Sequence, residues 1–104
     1  MIDCSAAGAA ERVPVAALID TWLPTGLIAH VQVNDPNRRA PGQGQMDFAP
    51  ILAALRRQRY AGTVSVEPFE YVPDGIGAAA FAAGYLRGII EALDASAASS
   101  SREP

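Results

Sequence analysis

Between Leu27 and Asn34 the chain alternates, with Ala29, Val31 and Val33 on one side and His30, Gln32 and Asn34 on the other. The run from Thr63 to Glu67 repeats the pattern, setting Val64 and Val66 against Thr63, Ser65 and Glu67. Successive side chains of a strand point to opposite faces, so each run has one apolar and one polar face. Both runs are flanked by amphipathic helical segments, and a parallel strand covered by helices on both faces should be apolar throughout. The polar face therefore either meets water or lines a polar cavity, such as the mouth of a closed barrel.

The flanking segments have helical spacing. Val15, Leu18, Ile19 and Trp22 fall at i, i+3, i+4 and i+7 within Val13 to Leu23,. Pro14 is tolerated in the first turn, and Pro24 and Gly26 stop the helix,. Asp47 is placed to cap a second helix whose apolar positions are Phe48, Ile51, Leu52 and Leu55,. A third is expected from about Gly75 to Leu93, with Phe81, Tyr85, Leu86, Ile89, Ile90 and Leu93 on one side. A short first strand, Met1-Ile2-Asp3, gives the order β-α-β-α-β-α. That order implies an α/β fold with parallel strands joined by right-handed crossovers, either an open sheet or part of a barrel. Residues 1–93 form the folded unit, and the Ala- and Ser-rich stretch 94–104 is expected to be a disordered tail,.

Composition narrows the partners. A chain of 104 residues, half hydrophobic with net charge −3, suits one soluble unit with a modest core,. Its basic residues are scattered apart from Arg56, Arg57 and Arg59, so no face argues for nucleic acid,. Apolar runs fall short of the roughly 18 residues of a membrane span. The N-terminus has no basic, apolar leader, and a cytoplasmic location is expected. The single cysteine, Cys4, has no internal partner for a disulfide and reads as packing near a strand end rather than as a catalytic thiol,.

Asp3, Gln32 and Glu67 each stand at or near the end of a strand. Their spacing is close to the roughly 31 residues per βα unit of an eight-unit barrel. On neighbouring strands they would converge at one rim, as oxygen donors for a hard divalent cation or as a hydrogen-bonded polar cluster without a metal. Gly42 and Gly44, in Pro-Gly-Gln-Gly, lack the remainder of a dinucleotide fingerprint and fit a turn closing over the barrel mouth,. Arg38 and Arg39 could meet an anionic substrate group, although Arg39 reads better as a solvated charge,.

The stretch His30-Val31-Gln32-Val33-Asn34-Asp35-Pro36-Asn37-Arg38-Arg39 with Pro41-Gly42-Gln43-Gly44, together with Tyr60 to Phe69, resembles the xylose isomerase-like TIM-barrel superfamily. That group includes sugar phosphate isomerases/epimerases, D-tagatose 3-epimerase and hydroxypyruvate isomerase. The resemblance runs from Met1 to about Leu93 and implies the last three βα units of a (β/α)8 barrel. It implies Asp3, Gln32 and Glu67 as ligands of Mg2+ or Mn2+, and Glu67 also as one of two catalytic acid/base carboxylates. Arg38 matches an arginine that contacts substrate oxygens, and Glu11 lies where a family glutamate often follows. Glutamine at position 32 is the choice of the hydroxypyruvate isomerase-like branch, where the epimerases use histidine. His30, one same-face step before the ligand, would be an outer partner that helps to orient Gln32.

The implied reaction is proton transfer beside the carbonyl of a small sugar or hydroxy-keto acid, through an enediolate. Alternatives are a sugar-acid dehydratase, an endonuclease acting at abasic DNA, which would need more histidines, or a non-catalytic remnant. Two departures stand out. Ala6 occupies the place of a substrate-binding histidine, and the fifth-strand glutamate has no counterpart because its strand is missing. The start at Met1 just before a strand-ending aspartate reads as truncation. Three strands cannot close a barrel, so the chain is expected to be inactive alone and to self-associate through its exposed strand edges.

Overall fold

The computed structural model describes residues 1–10 and 14–102. The order is β1 (Ile2–Asp3), α1 (Cys4–Ala10), α2 (Val15–Trp22), a 3₁₀ turn over Leu23–Thr25, β2 (His30–Gln32), α3 (Ala49–Arg57), β3 (Thr63–Ser65) and α4 (Gly75–Arg102). The strands form one sheet in the order β1-β2-β3, and both pairings are parallel. Asp3 lies opposite Gln32, and Gln32 opposite Ser65. Sequential parallel strands in spatial order are what one-directional crossovers produce.

The period-two pattern sorts the central strand as expected. Val31 and Val33 are fully buried against the helices, while His30 and Gln32 on the opposite face are half-buried. The core joins them to Cys4, Val15, Ile19, Phe48, Ile51, Leu52 and Leu55. All four expected apolar positions of α3 are therefore inside. Asp47 assists its start, for its Oδ1 accepts the Ala49 N–H at 3.0 Å. On α2, Val15 and Ile19 are buried, whereas Trp22 is 50% exposed.

Four features differ from the expectations. The ladders are shorter, because β1 contributes only two residues to pair with β2. Helix α1, Cys4–Ala10, was not expected: its sequence has no apolar stripe, and its start is set by Asp3, whose Oδ1 accepts the Ser5 and Ala6 N–H groups at 3.0 and 3.3 Å,. The stretch after Asp94, expected as a disordered tail, continues α4 as helix to Arg102, as its alanines allow,. At 28 residues α4 is about 42 Å long at 1.5 Å per residue,.

The fourth difference also concerns α4. No single apolar run is long, yet Gly75–Ala97 averages a hydropathy of 1.3 and is long and apolar enough, by length and composition, to cross a bilayer. Its many small alanines hold that average up. The large side chains Tyr85, Leu86, Ile89 and Leu93 pack on the core, as they would on a surface helix,. Glu11 lies outside the described residues.

Candidate functional site

The three strands end at one rim, and their ends carry Asp3, Gln32 and Glu67. Asp3 and Gln32 are register partners on adjacent parallel strands. Glu67 lies two residues beyond β3 and is nevertheless held in strand-like pairing. Asn34 Oδ1 accepts the Glu67 N–H at 2.7 Å, and Asn34 Nδ2 donates to the Glu67 carbonyl at 3.1 Å. A buried asparagine thus takes the place of a backbone partner and continues the ladder by one step. With its backbone so placed, Glu67 Oε2 accepts a hydrogen bond from Gln32 Nε2 at 2.9 Å.

These three side chains fit a hard cation by donor type, since two carboxylates and an amide offer only oxygen to an ion. Among the described residues no three His, Cys, Asp or Glu side chains gather, so the set depends on glutamine for its third donor. Gln32 turns its nitrogen toward Glu67. Rotation about its terminal torsion would exchange nitrogen for oxygen at that place.

His30 sits one same-face step deeper. Its Nε2 is 2.7 Å from Ser65 Oγ, so the ring meets a serine on the next strand. The register explains this, because His30 is opposite Thr63 and its ring reaches the following same-face residue of β3. Cys4 is fully buried beneath the rim, and burial, with the Asp3 charge adding to it, pushes its thiol up to about 12. A thiol held protonated to that point is a packing group at neutral pH.

Two loops wall the rim. The first follows β2, and its organiser is a residue that sequence reasoning did not single out. Asp35 is fully buried. Its Oδ2 accepts the N–H groups of Gly42 and Gly44 at 2.9 and 3.2 Å, and its Oδ1 accepts that of Met46 at 3.0 Å. The Pro-Gly-Gln-Gly segment therefore curls around a carboxylate of its own chain. The available signal was an aspartate just past a strand with glycines downstream, whose N–H groups can approach closely. Gly42 has φ +91° and lies beneath the ring of Tyr85, so this turn closes onto α4.

Arg38 stands at the tip of the first loop with φ 73° and an exposed side chain. Its carbonyl accepts the N–H groups of Phe69 and Glu70 at 2.8 and 2.9 Å. Gln43 Nε2 donates to the Val72 carbonyl at 2.8 Å. The loop carrying Arg38 and the one following Glu67 are thus stitched together by backbone and amide bonds. Beside that second loop, Val66, Pro68, Tyr71, Ala79, Ala82 and Leu86 line an apolar cleft of about 300 Å3 against α4.

No family model matches the chain. Over 51 residues, 49% of its length, the chain is 41% identical to D-psicose 3-epimerase of Agrobacterium fabrum, and the match covers 18% of that protein. The solved structure of an L-ribulose 3-epimerase matches 98% of the chain with a TM-score of 0.82 at 23% identity, and the match covers 40% of that chain. The chain thus spans less than half of either relative. At that identity the structural match speaks for the fold, and the three parallel strands with their helices are part of a (β/α)8 barrel. Both relatives fall in the xylose isomerase-like TIM-barrel superfamily, so the resemblance drawn from the motifs holds.

Proposed function

We propose that the chain carries part of the active site of a divalent-metal-dependent sugar epimerase or isomerase. The observation that supports this reading is the placement of Asp3, Gln32 and Glu67 side by side at the ends of three adjacent parallel strands. The names of the two relatives make a ketose the preferred substrate and C3 the preferred carbon. Gln32, in place of histidine, favours a second reading in which the substrate is a hydroxy-keto acid.

Asp3, Gln32 and Glu67 would hold Mg2+ or Mn2+, which when bound supplies polarisation of a carbonyl and neutralisation of developing negative charge. Glu67 takes the proton from the carbon beside the carbonyl. The electron pair of that C–H bond moves toward the carbonyl, giving an enediolate, and return of the proton to the other face inverts the centre. Arg38 orients substrate oxygens through its exposed guanidinium. The second acid/base group and the fourth ligand would come from a strand that these 104 residues do not contain. By this reading the chain alone binds a metal weakly and does not turn over. Its location is cytoplasmic, and its free strand edges make it self-associate.

The test is titration of the chain with Mn2+, the free ion being followed by electron paramagnetic resonance. The wild-type chain is expected to bind weakly and Glu67→Gln to lose binding by tenfold or more, the loss of one charged donor. Tight binding unchanged in Glu67→Gln, or no binding by the wild type, would overturn the reading.

A further inference from the structure

We propose that Asp35 is a positioning residue for the rim: by holding the loop 35–46 it fixes the backbone of Arg38, and through Arg38 the segment that follows Glu67. The functional meaning of this coupling rests on the reading above, whereas the coupling itself does not.

The argument follows the hydrogen bonds. A fully buried carboxylate requires partners, and Asp35 finds three backbone N–H groups, all in its own loop,. These bonds draw positions 42, 44 and 46 back over residue 35, so the intervening tip projects as a fixed turn. Two further bonds close the turn, Arg38 N–H to the Asp35 carbonyl at 3.1 Å and Asp35 N–H to the Arg39 carbonyl at 3.2 Å. Arg38 then has a positive φ, and its carbonyl faces outward to receive both Phe69 and Glu70. Glu67 is therefore positioned from two sides. Asn34, directly before Asp35, pairs with its backbone, while the Arg38 carbonyl anchors the two residues that begin just beyond Pro68. Both anchors lie on the chain that Asp35 fixes.

Asp35→Asn keeps the volume but presents an amide N–H2 to backbone donors, so at least one of the three bonds must be lost. Hydrogen exchange read by mass spectrometry on the whole chain separates the possible roles. In Asp35→Asn, segments 36–46 and 67–72 are expected to exchange on the order of tenfold faster, while α2 and α3 stay within about twofold of wild type. Gly44→Ala is a second route to the same lesion, because its Cβ would lie 2.6 Å from Asp35 Oδ1 and 2.9 Å from Asn37 Nδ2. It should reproduce the pattern, and it decides the matter should Asp35→Asn fail to fold. Faster exchange confined to 36–46 would overturn the proposal, since the loop would then be fixed without reaching Glu67. A uniform rise that includes α2 and α3 would also overturn it, because Asp35 would be a general stability residue. A Mn2+ titration of Asp35→Asn forms a second arm, with about tenfold weaker binding expected although Asp35 is not a donor. If the wild-type chain binds no Mn2+, the metal reading falls, and the exchange pattern still decides the coupling.

Discussion

Replacing Gly42 with alanine tests whether the rim loop closes onto α4. Two costs are separable. The backbone at Gly42 has φ +91°, where an L side chain is strained by about 1–2 kcal/mol,. The added methyl would also lie 2.7 Å from two ring carbons of Tyr85 and 2.9 Å from Phe81. Those rings stack on each other at a centroid distance of 6.4 Å, and Phe48 meets Tyr85 edge-on at 6.3 Å. The rings can give way only by disturbing that packing, and overpacking of this kind costs about 1–3 kcal/mol. Gly26 is the internal control, with φ +75° and nothing within 4 Å of its would-be Cβ. Both substitutions recover about 0.4–1 kcal/mol by stiffening the unfolded chain. Gly42→Ala is therefore expected to destabilise by about 2 kcal/mol more than Gly26→Ala, a urea midpoint about 1–2 M lower. The assay is urea unfolding followed by tyrosine and tryptophan fluorescence, at a dilution where the midpoint no longer depends on concentration. Equal midpoints for the two variants would refute the packing of this loop on Tyr85 and Phe81.

Other outcomes follow from titrating groups and edges. Hydrogen bonds from Arg57 and Gln58 hold the Asp20 carboxyl below its ordinary value of 3.8. Its contribution to stability is present above pH 3.8 and lost as pH falls through the lowered value, so wild type and Asp20→Asn should converge at the acid end of a denaturation series,. Cys4, pushed up to about 12, should resist Ellman's reagent at pH 8 in the folded chain and react fully in urea; prompt native reaction would contradict its burial,. The same raised value means that stability falls as pH rises beyond 9.0,. Because β1 and β3 each leave one edge unpaired, sedimentation velocity should show species larger than a monomer at micromolar concentration,. A lone monomer boundary across the concentration range would sink that expectation.

The elements most legible in the sequence were those whose side chains do one thing. Phe48, Ile51, Leu52 and Leu55 repeat at helical spacing because one face of α3 meets the core, and all four are buried. Strand β2 was legible because Val31 and Val33 face the helices while His30 and Gln32 do not. What stayed hidden depends on bonds between distant groups. Asp35 makes its contacts seven, nine and eleven residues downstream, and the only mark it leaves in the sequence is an aspartate past a strand with glycines to follow. Helix α1 is hidden for the opposite reason, since its alanines and glycine carry no face to read and its capping residue also ends a strand. The partner of His30 was missed because same-face neighbours within a strand are easier to infer than a residue on the next strand.

Satisfied and open groups are unevenly distributed, and this governs what the chain can do without the rest of a barrel. At the rim the loop after β2 is bonded to the segment after β3, Asn34 to Glu67, Arg38 to Phe69 and Glu70, and Gln43 to Val72. At the flanks β1 and β3 end the sheet, and Val64, whose strand position should be covered, is 40% exposed. Loss of neighbouring units therefore falls first on the flanks, as apolar surface left in water and strand edges left to pair at random. The placement of Gln32 against Glu67 depends mainly on bonds inside the chain and is affected last. Catalysis by this reading needs a second carboxylate from a strand outside these residues, whereas the bonds that place Gln32 and Glu67 lie within them. Cation binding is thus the property through which the site can be tested in the chain as it stands, and turnover is the property that requires its completion.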